Sequence, residues 1–284
     1  MSEFKDKFIA FIDILGFKKL VADTQAGVGM KLPELRKLLD SFGAGSERER
    51  FETHGPMCCP MAPYIDRNLD FRLTPVSDCV IVSAEVSPAG VINLVGHCWG
   101  AVIQLLQGGI MCRGYITRGP IYHTDKYLFG TGYQDAYLAE GKVSAFKREA
   151  DERGTPFVEV DAAVCEYVEQ RGDACVKEMF SRFVKRGGTT VALFPFQRLS
   201  HSFIVGGPGF DADKERRSNQ NTRAMINRLK ERVDTYVDKS NESAAQKASH
   251  YIAALDAQLE ICDRTDEFID MLGASSTARP GHAS

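Results

Sequence analysis

Phe8-Ile9-Ala10-Phe11-Ile12-Asp13-Ile14-Leu15-Gly16-Phe17 is the stretch on which the reading of the chain turns. Phe8 to Ile12 is an unbroken apolar run, the pattern of a buried strand. It ends on an acid. Gly16 then lets the backbone turn sharply into Lys18-Lys19-Leu20-Val21. A carboxylate in so apolar a strand is costly unless something compensates it. A helix N-cap, a buried salt bridge and a divalent cation are the three candidates.

The neighbouring segments choose among them. After Phe17 an amphipathic helical pattern is broken by Gly27 and Gly29 and resumes at Leu32-Pro33-Glu34-Leu35, with proline suited to a first helical turn. Residues 41–68 are rich in Gly, Pro and charge and read as a loop or insert. Leu69 to Val76 alternates like a half-buried strand, Ser77-Asp78 reads as a hairpin tip, and Cys79 to Ser83 as the return strand. Pro88 opens a helix whose apolar positions run from Val91 to Leu106, ended by Gly108-Gly109. Ile110 to Gly119 is the next strand, and Pro120-Ile121-Tyr122-His123 is expected to begin another.

Strand, helix, two-strand hairpin, helix, strand is the βαββαβ order of an α+β, ferredoxin-like palm. In that topology the first strand lies beside the hairpin, so Asp13 and Asp78 are expected to meet. Two carboxylates held that close repel each other unless a cation lies between them. Oxygen-only ligands favour Mg²⁺ or Mn²⁺ over zinc. Mg²⁺ held by two carboxylates fills its shell with water and substrate phosphates, which points to nucleotide chemistry.

Further on, Tyr127 to Phe129 is strand-like and two glycines lead into a helix expected to run to about Asp151. Phe157 to Val160 is a strand and Ala162 to Gln170 a helix, with strands at Thr189 to Phe196 and His201 to Val205 closing the sheet. Past Gly206-Gly207-Pro208-Gly209, Asp213 to Ser240 and Ala244 to Met271 read as a charged helical hairpin. The expected division is a catalytic domain at 1–208, a helical region at 209–272 and a disordered tail at 273–284.

Net charge is −3, which leaves no electrostatic footprint for a nucleic-acid polymer or an anionic membrane. No apolar run reaches the roughly 18 residues of a membrane span, and the charged N-terminus is unlike a signal peptide. Cys58, Cys59, Cys79, Cys98, Cys112, Cys165, Cys175 and Cys262 make no zinc-type pattern. Several lie in apolar runs, and a reducing cytoplasm is the expected compartment. His97, His123 and His201 lack a nucleophile context and read as satisfied structural histidines.

Asp13-Ile14-x-Gly16-Phe17 resembles the first metal motif of class III nucleotidyl cyclases. Asp78 matches their second metal aspartate, with Ser77 where they usually carry glycine. Arg113-Gly114-Tyr115-Ile116-Thr117-Arg118-Gly119-Pro120 is similar to their Arg-x-Gly-Ile-His-x-Gly-Pro strand. Phe129-Gly130 to Ala136 and Glu140 lies over their Trp-Gly-x-x-Val-Asn-x-Ala-x-Arg-Leu-Glu. The likeness spans residues 8–142. Thr74 falls where adenylyl cyclases carry a base-reading lysine, Tyr127 on their adenine-reading aspartate, Gln134 on their transition-state asparagine and Leu138 on their arginine. The purine-reading pair is therefore absent, and the pattern looks like the bacterial pyrimidine cyclases of the Pycsar antiphage system.

That resemblance implies UTP or CTP as substrate, a cyclic nucleotide that acts through a separate effector, and two Mg²⁺ or Mn²⁺ ions per site held by Asp13, the Ile14 carbonyl and Asp78. It also implies a head-to-tail homodimer with interfacial active sites. Backbone amides near Leu15, Gly16 and Phe17 are the expected phosphate contacts. Arg113 or Arg118 is the candidate for stabilising the phosphoryl charge. Thr74, Tyr127, Gln134 and Tyr64 are candidates on the substrate side. A catalytically inactive nucleotide-binding module and another palm-type enzyme are the alternatives.

Overall fold

β1 (Lys5–Ile14) runs through the middle of the sheet, antiparallel on one side to β3 (Cys79–Glu85) and on the other to β4 (Cys112–His123). The computed structural model describes residues 3–42, 50–51, 53–57, 68–149, 151, 154–198, 204 and 209–277. β2 (Arg72–Val76) forms the expected hairpin with β3. Between β1 and β2 come α1 (Phe17–Ala26) and α2 (Leu32–Phe42), and α3 (Pro88–Gln107) joins β3 to β4. β5 (Leu128–Phe129) pairs with the end of β4 and leads into α4 (Thr131–Glu140). β6 (Val158–Val160) lies parallel to β4, and α5 (Ala162–Arg171) and α6 (Ala174–Ser181) follow it. β7 (Val184–Gly187) and β8 (Thr190–Leu193) extend the sheet to the order β2-β3-β1-β4-β6-β8-β7. The first four strands, 2-3-1-4 and antiparallel throughout, are the ferredoxin-like palm of an α+β fold.

Alternation along β1 sets the two faces. Phe8, Ala10, Ile12 and Ile14 join the main core with Val91, Leu94 and Val95 of α3 and Val164 of α5. Ile9 and Phe11 face the other way, packing with Ile81, Ile121 and Ala136 under α4. Asp13 continues this second series. α4 lies close because two glycines meet: a Cβ on Gly132 would stand 2.5 Å from Ile9 Cδ1 and 2.9 Å from the Gly119 carbonyl carbon. Gly132→Val is therefore expected to lift α4 and to cost about 1–3 kcal/mol, read as a lowered thermal midpoint. An unchanged midpoint would mean that the contact is slack.

α3 is long and apolar enough to cross a bilayer by length and composition, but 72% of that window is buried inside the protein. α7 (Ala212–Tyr236) and α8 (Glu242–Thr277) form the predicted helical hairpin. Ile226, Leu229, Val233, Tyr251 and Leu255 pack with Met111, Phe157 and Phe196, so the hairpin is part of the main body.

Several expectations need correction. The helix expected to reach Asp151 stops at Glu140, and Lys142 N bonds Ala139 O at 2.9 Å to close a turn. Pro120–His123 continues β4 instead of starting a strand. The strand expected over Thr189 to Phe196 is only four residues long before a 3₁₀ turn at Pro195–Arg198. α6 and β7 were not foreseen. α8 runs on to Thr277, so the first part of the expected disordered tail is helical. The His201–Val205 strand lies outside the described residues apart from Ile204, and most of the 41–68 insert lies outside them too. Phe51, within that insert, is buried edge-on against Phe71, with ring centroids 5.1 Å apart.

Candidate active site

The end of β1 assembles the site. Asp13 is the cross-strand partner of Cys79 on one side and of Arg113 on the other, so all three side chains share the α4 face. Ile14 N donates to Asp78 O at 2.9 Å, which seats the hairpin tip beside the end of β1. Ser77 takes φ +55° at that tip, the conformation that explains why glycine suits the position. The two aspartates predicted to meet do so at the level of the backbone.

A third acid joins them. Glu140, the last residue of α4, is buried and accepts from Arg113 Nε at 2.5 Å. Burial pushes the Asp13 carboxyl up to about 7, the charges of Glu140 and Asp78 add to the rise, and Arg113 opposes it. The Cys79 thiol is pushed up to about 12 by burial, reinforced by the same acids, so it is inert as a nucleophile. Glu140 was read only as the end of a matched motif. Its signal was the helical register that carries it back over Arg113, and that depends on the tertiary contact between Gly119 and Gly132.

Beside Arg113 opens a cleft of about 510 Å³ lined by Lys142, Ser144, Lys147, Gly154 and Lys247. Lys247, on α8, also lines a neighbouring cleft with Leu15, Gly16, Lys18 and Lys19. Among the described residues the first of these clefts is lined by four cations and no acid, a surface suited to a polyanion.

Other predicted site residues are placed differently. Leu15 N is already bonded to Met111 O at 2.9 Å, so the Leu15 amide is not a phosphate donor. Gly16 adopts φ +78° as the N-cap of α1, and Phe17 opens that helix. Arg118 is removed from the site: it pairs with Phe8, lies on the opposite face, bonds Asp6 at 2.7 and 2.9 Å and sits over the Tyr167 ring. Gln134 and Leu138 are exposed on α4, and Tyr127 is exposed in the turn beyond β4, past the far end of β1 from Asp13. Thr74 is engaged with His123 Nε2 at 2.9 Å. Tyr64 lies outside the described residues.

Among the described residues, no three His, Cys, Asp or Glu side chains converge as a ready metal cage. The two aspartates still fit a cation that completes its shell with substrate oxygens, because Asp13 is charged only at a cost that a positive partner removes. The chain matches no family model and no curated protein. Among solved structures it is similar to the catalytic core of a rhodopsin-guanylyl cyclase with converted specificity, crystallised with ATPalphaS, at TM-score 0.37 and 12% identity over 59% of this chain and 83% of that one. A likeness of that size adds nothing to what strand order and the acid cluster establish.

Proposed function

We propose that the protein is a metal-dependent pyrimidine nucleotide cyclase, converting UTP or CTP to the 3′,5′-cyclic monophosphate and pyrophosphate. The observation that carries this reading is the meeting of Asp13 and Asp78 at the end of β1, against Arg113 and a cleft lined by Lys142, Lys147 and Lys247. Asp13 and Asp78 would hold Mg²⁺ or Mn²⁺, which supply charge neutralisation and acidify the ribose 3′-hydroxyl when bound. The 3′-oxygen, having lost its proton, attacks the α-phosphorus in line, and the bond to the pyrophosphate oxygen breaks. Arg113, already oriented by Glu140, stabilises the charge that develops on the phosphoryl oxygens. Lys142, Lys147 and Lys247 attract the triphosphate.

Thr74 and Tyr127 stand where a purine reader needs lysine and aspartate, which supports a pyrimidine base. A head-to-tail homodimer is supported by exposed Phe4, Tyr127, Phe129, Tyr137 and Leu138, apolar side chains that a second copy would cover. Six cysteines are free among the described residues, in keeping with a reducing cytoplasm. The cyclic product would act on a separate effector in antiphage defence. Leu138 and Gln134, at the positions where cyclases carry their transition-state pair, favour a second reading as an inactive nucleotide-binding module.

Incubation with each of the four ribonucleoside triphosphates and Mn²⁺, with product identification, separates the two readings. The expected product is a cyclic pyrimidine monophosphate. Mn²⁺ with UTP is expected to raise the thermal midpoint of the wild type and not of Asp78→Asn. Equal shifts in both would remove Asp78 from the metal site.

A further inference from the structure

The connection that follows α4, described at residues 141–149, 151 and 154–157, contains no helix or strand, yet it is held at several points. The Glu159 carboxylate accepts from Ser144 N at 2.7 Å and from Ala145 N at 2.8 Å. Thr155 N donates to Val143 O at 3.0 Å, and Thr155 Oγ1 donates to Ala145 O at 2.6 Å. Phe146 takes φ +57°, a strained conformation for a bulky residue. The rings of Phe157 and Phe194 hold it there, with centroids 4.8 and 5.6 Å away. The next residue, Lys147, lines the cleft beside Arg113. Gly154 brings the chain back against that arginine: a Cβ there would stand 3.3 Å from Arg113 Nη1.

One wall of the cleft is this connection, with Lys142 and Lys147, and another is α8, with Lys247. The lysines repel one another across it, so the walls part unless something joins them. The join is a buried pair. His250, 4% exposed, has Nε2 3.0 and 2.9 Å from Oδ1 and Oδ2 of Asp151, 7% exposed. Both oxygens accept, so that nitrogen carries the proton. Arg148 N also donates to Asp151 Oδ2 at 2.7 Å, and Arg148 Nη1 donates to Ser249 Oγ at 3.1 Å. His250 comes three residues after Lys247, so the two share one face of α8. Lys247 Nζ lies 3.2 Å from Ser243 Oγ, one turn back. What the buried pair fixes is the spacing between Lys247 and the two lysines opposite.

We infer that α8 is a working wall of the phosphate site, that Lys247 contacts the outer phosphates of the substrate, and that His250, through Asp151, is the residue that positions it. The inference rests on the nucleotide-cyclase reading of the Asp13 end. Lys147, Asp151, Lys247 and His250 all lie past residue 142, outside the stretch that resembles the cyclases. Arg113 is the cross-strand partner of Asp13, and the lysines share its cleft. The cleft therefore takes the end of the triphosphate that departs as pyrophosphate. The C-terminal hairpin is then part of the catalytic unit, joined to it by one buried contact close to the bound phosphates.

Inorganic tripolyphosphate, titrated by calorimetry into the full chain in EDTA, probes the lysine walls with no metal at the aspartates. Lys247→Met is expected to weaken binding about tenfold, the loss of one charge-assisted contact. His250→Ala is expected to weaken it by a similar factor. The two changes combined are expected to bind no worse than Lys247→Met alone, because a residue that acts by placing Lys247 then has nothing left to place. With UTP, His250→Ala is expected to raise KM and to leave kcat within about twofold. A thermal midpoint for each variant checks folding. If His250→Ala does not fold, Asp151→Asn, the same shape with one acceptor oxygen fewer, takes its place in the cycle. No tripolyphosphate binding by wild type, unchanged affinity in Lys247→Met, losses that add in the combined variant, or a fall in kcat with KM unchanged would overturn the inference. Non-additive losses in a protein that cyclises none of the four nucleoside triphosphates would sink the cyclase reading and leave the phosphate site standing.

Discussion

Asp13→Asn is expected to abolish cyclisation and, in the same protein, to make the fold harder to denature at pH 8. Loss of a group that organises charge at a reacting phosphorus costs on the order of 10²–10³ in rate, and loss of the metal itself costs more. The stability change has the opposite sign. Folding raises the Asp13 pKa from 3.8 to about 7, chiefly by burial. Between those values the folded state binds the proton that the unfolded state has released, so stability falls as pH rises through that window. Above about 7 the carboxylate is charged in both states and the full penalty applies. Discounted for the solvent-facing side of the residue, that penalty is about 2 kcal/mol. Asparagine, nearly the same shape and uncharged, removes it. Denaturant titrations at pH 5 and pH 8 should show the variant gaining more on wild type at the higher pH. Equal loss of stability at both would mean that Asp13 is a structural acid with a partner.

Arg113→Met is expected to damage stability and turnover together. The guanidinium opposes the charge of Asp13 and pairs with Glu140, and that contact joins two largely buried side chains, 16% and 10% exposed. Removing one partner of such a pair leaves the other charge uncompensated, at roughly 2–4 kcal/mol. Changing Glu140 to leucine in the same chain removes that charge, so the double variant should recover most of the stability. Activity should not return, because methionine offers no donor to the phosphoryl oxygens. A double variant as unstable as Arg113→Met alone would show that the arginine stabilises through packing. Recovered activity would show that it has no part in the chemistry.

The meeting of Asp13 and Asp78 was legible because it depends on strand order, and strand order follows from the sequence of apolar runs and turns. Arg118 shows a signal that was present and not used. It lies five residues from Arg113 on one strand, and an odd spacing puts two side chains on opposite faces. Glu140 was hidden for a different reason: nothing local says how closely a helix approaches a sheet. Here Gly119 and Gly132 set that distance, and their meeting is a property of the folded chain. His123 was read as a satisfied structural histidine. Both its nitrogens are engaged, as expected, but one of them holds Thr74, itself a candidate for contact with the base. The lysine that α8 contributes could not be foreseen, because the two long helices carry no mark of where they dock.

β1 is zipped on both edges, residue against residue, from Lys7 to Asp13. Insertion or deletion of a single residue there would invert every later side chain of the strand, turning Asp13 inward among Val91 and Leu94 and presenting an isoleucine to the substrate. The connection after α4 faces no such constraint. Descendants of this chain can therefore diverge in length almost anywhere around the active site, while the short thread at its centre keeps its count.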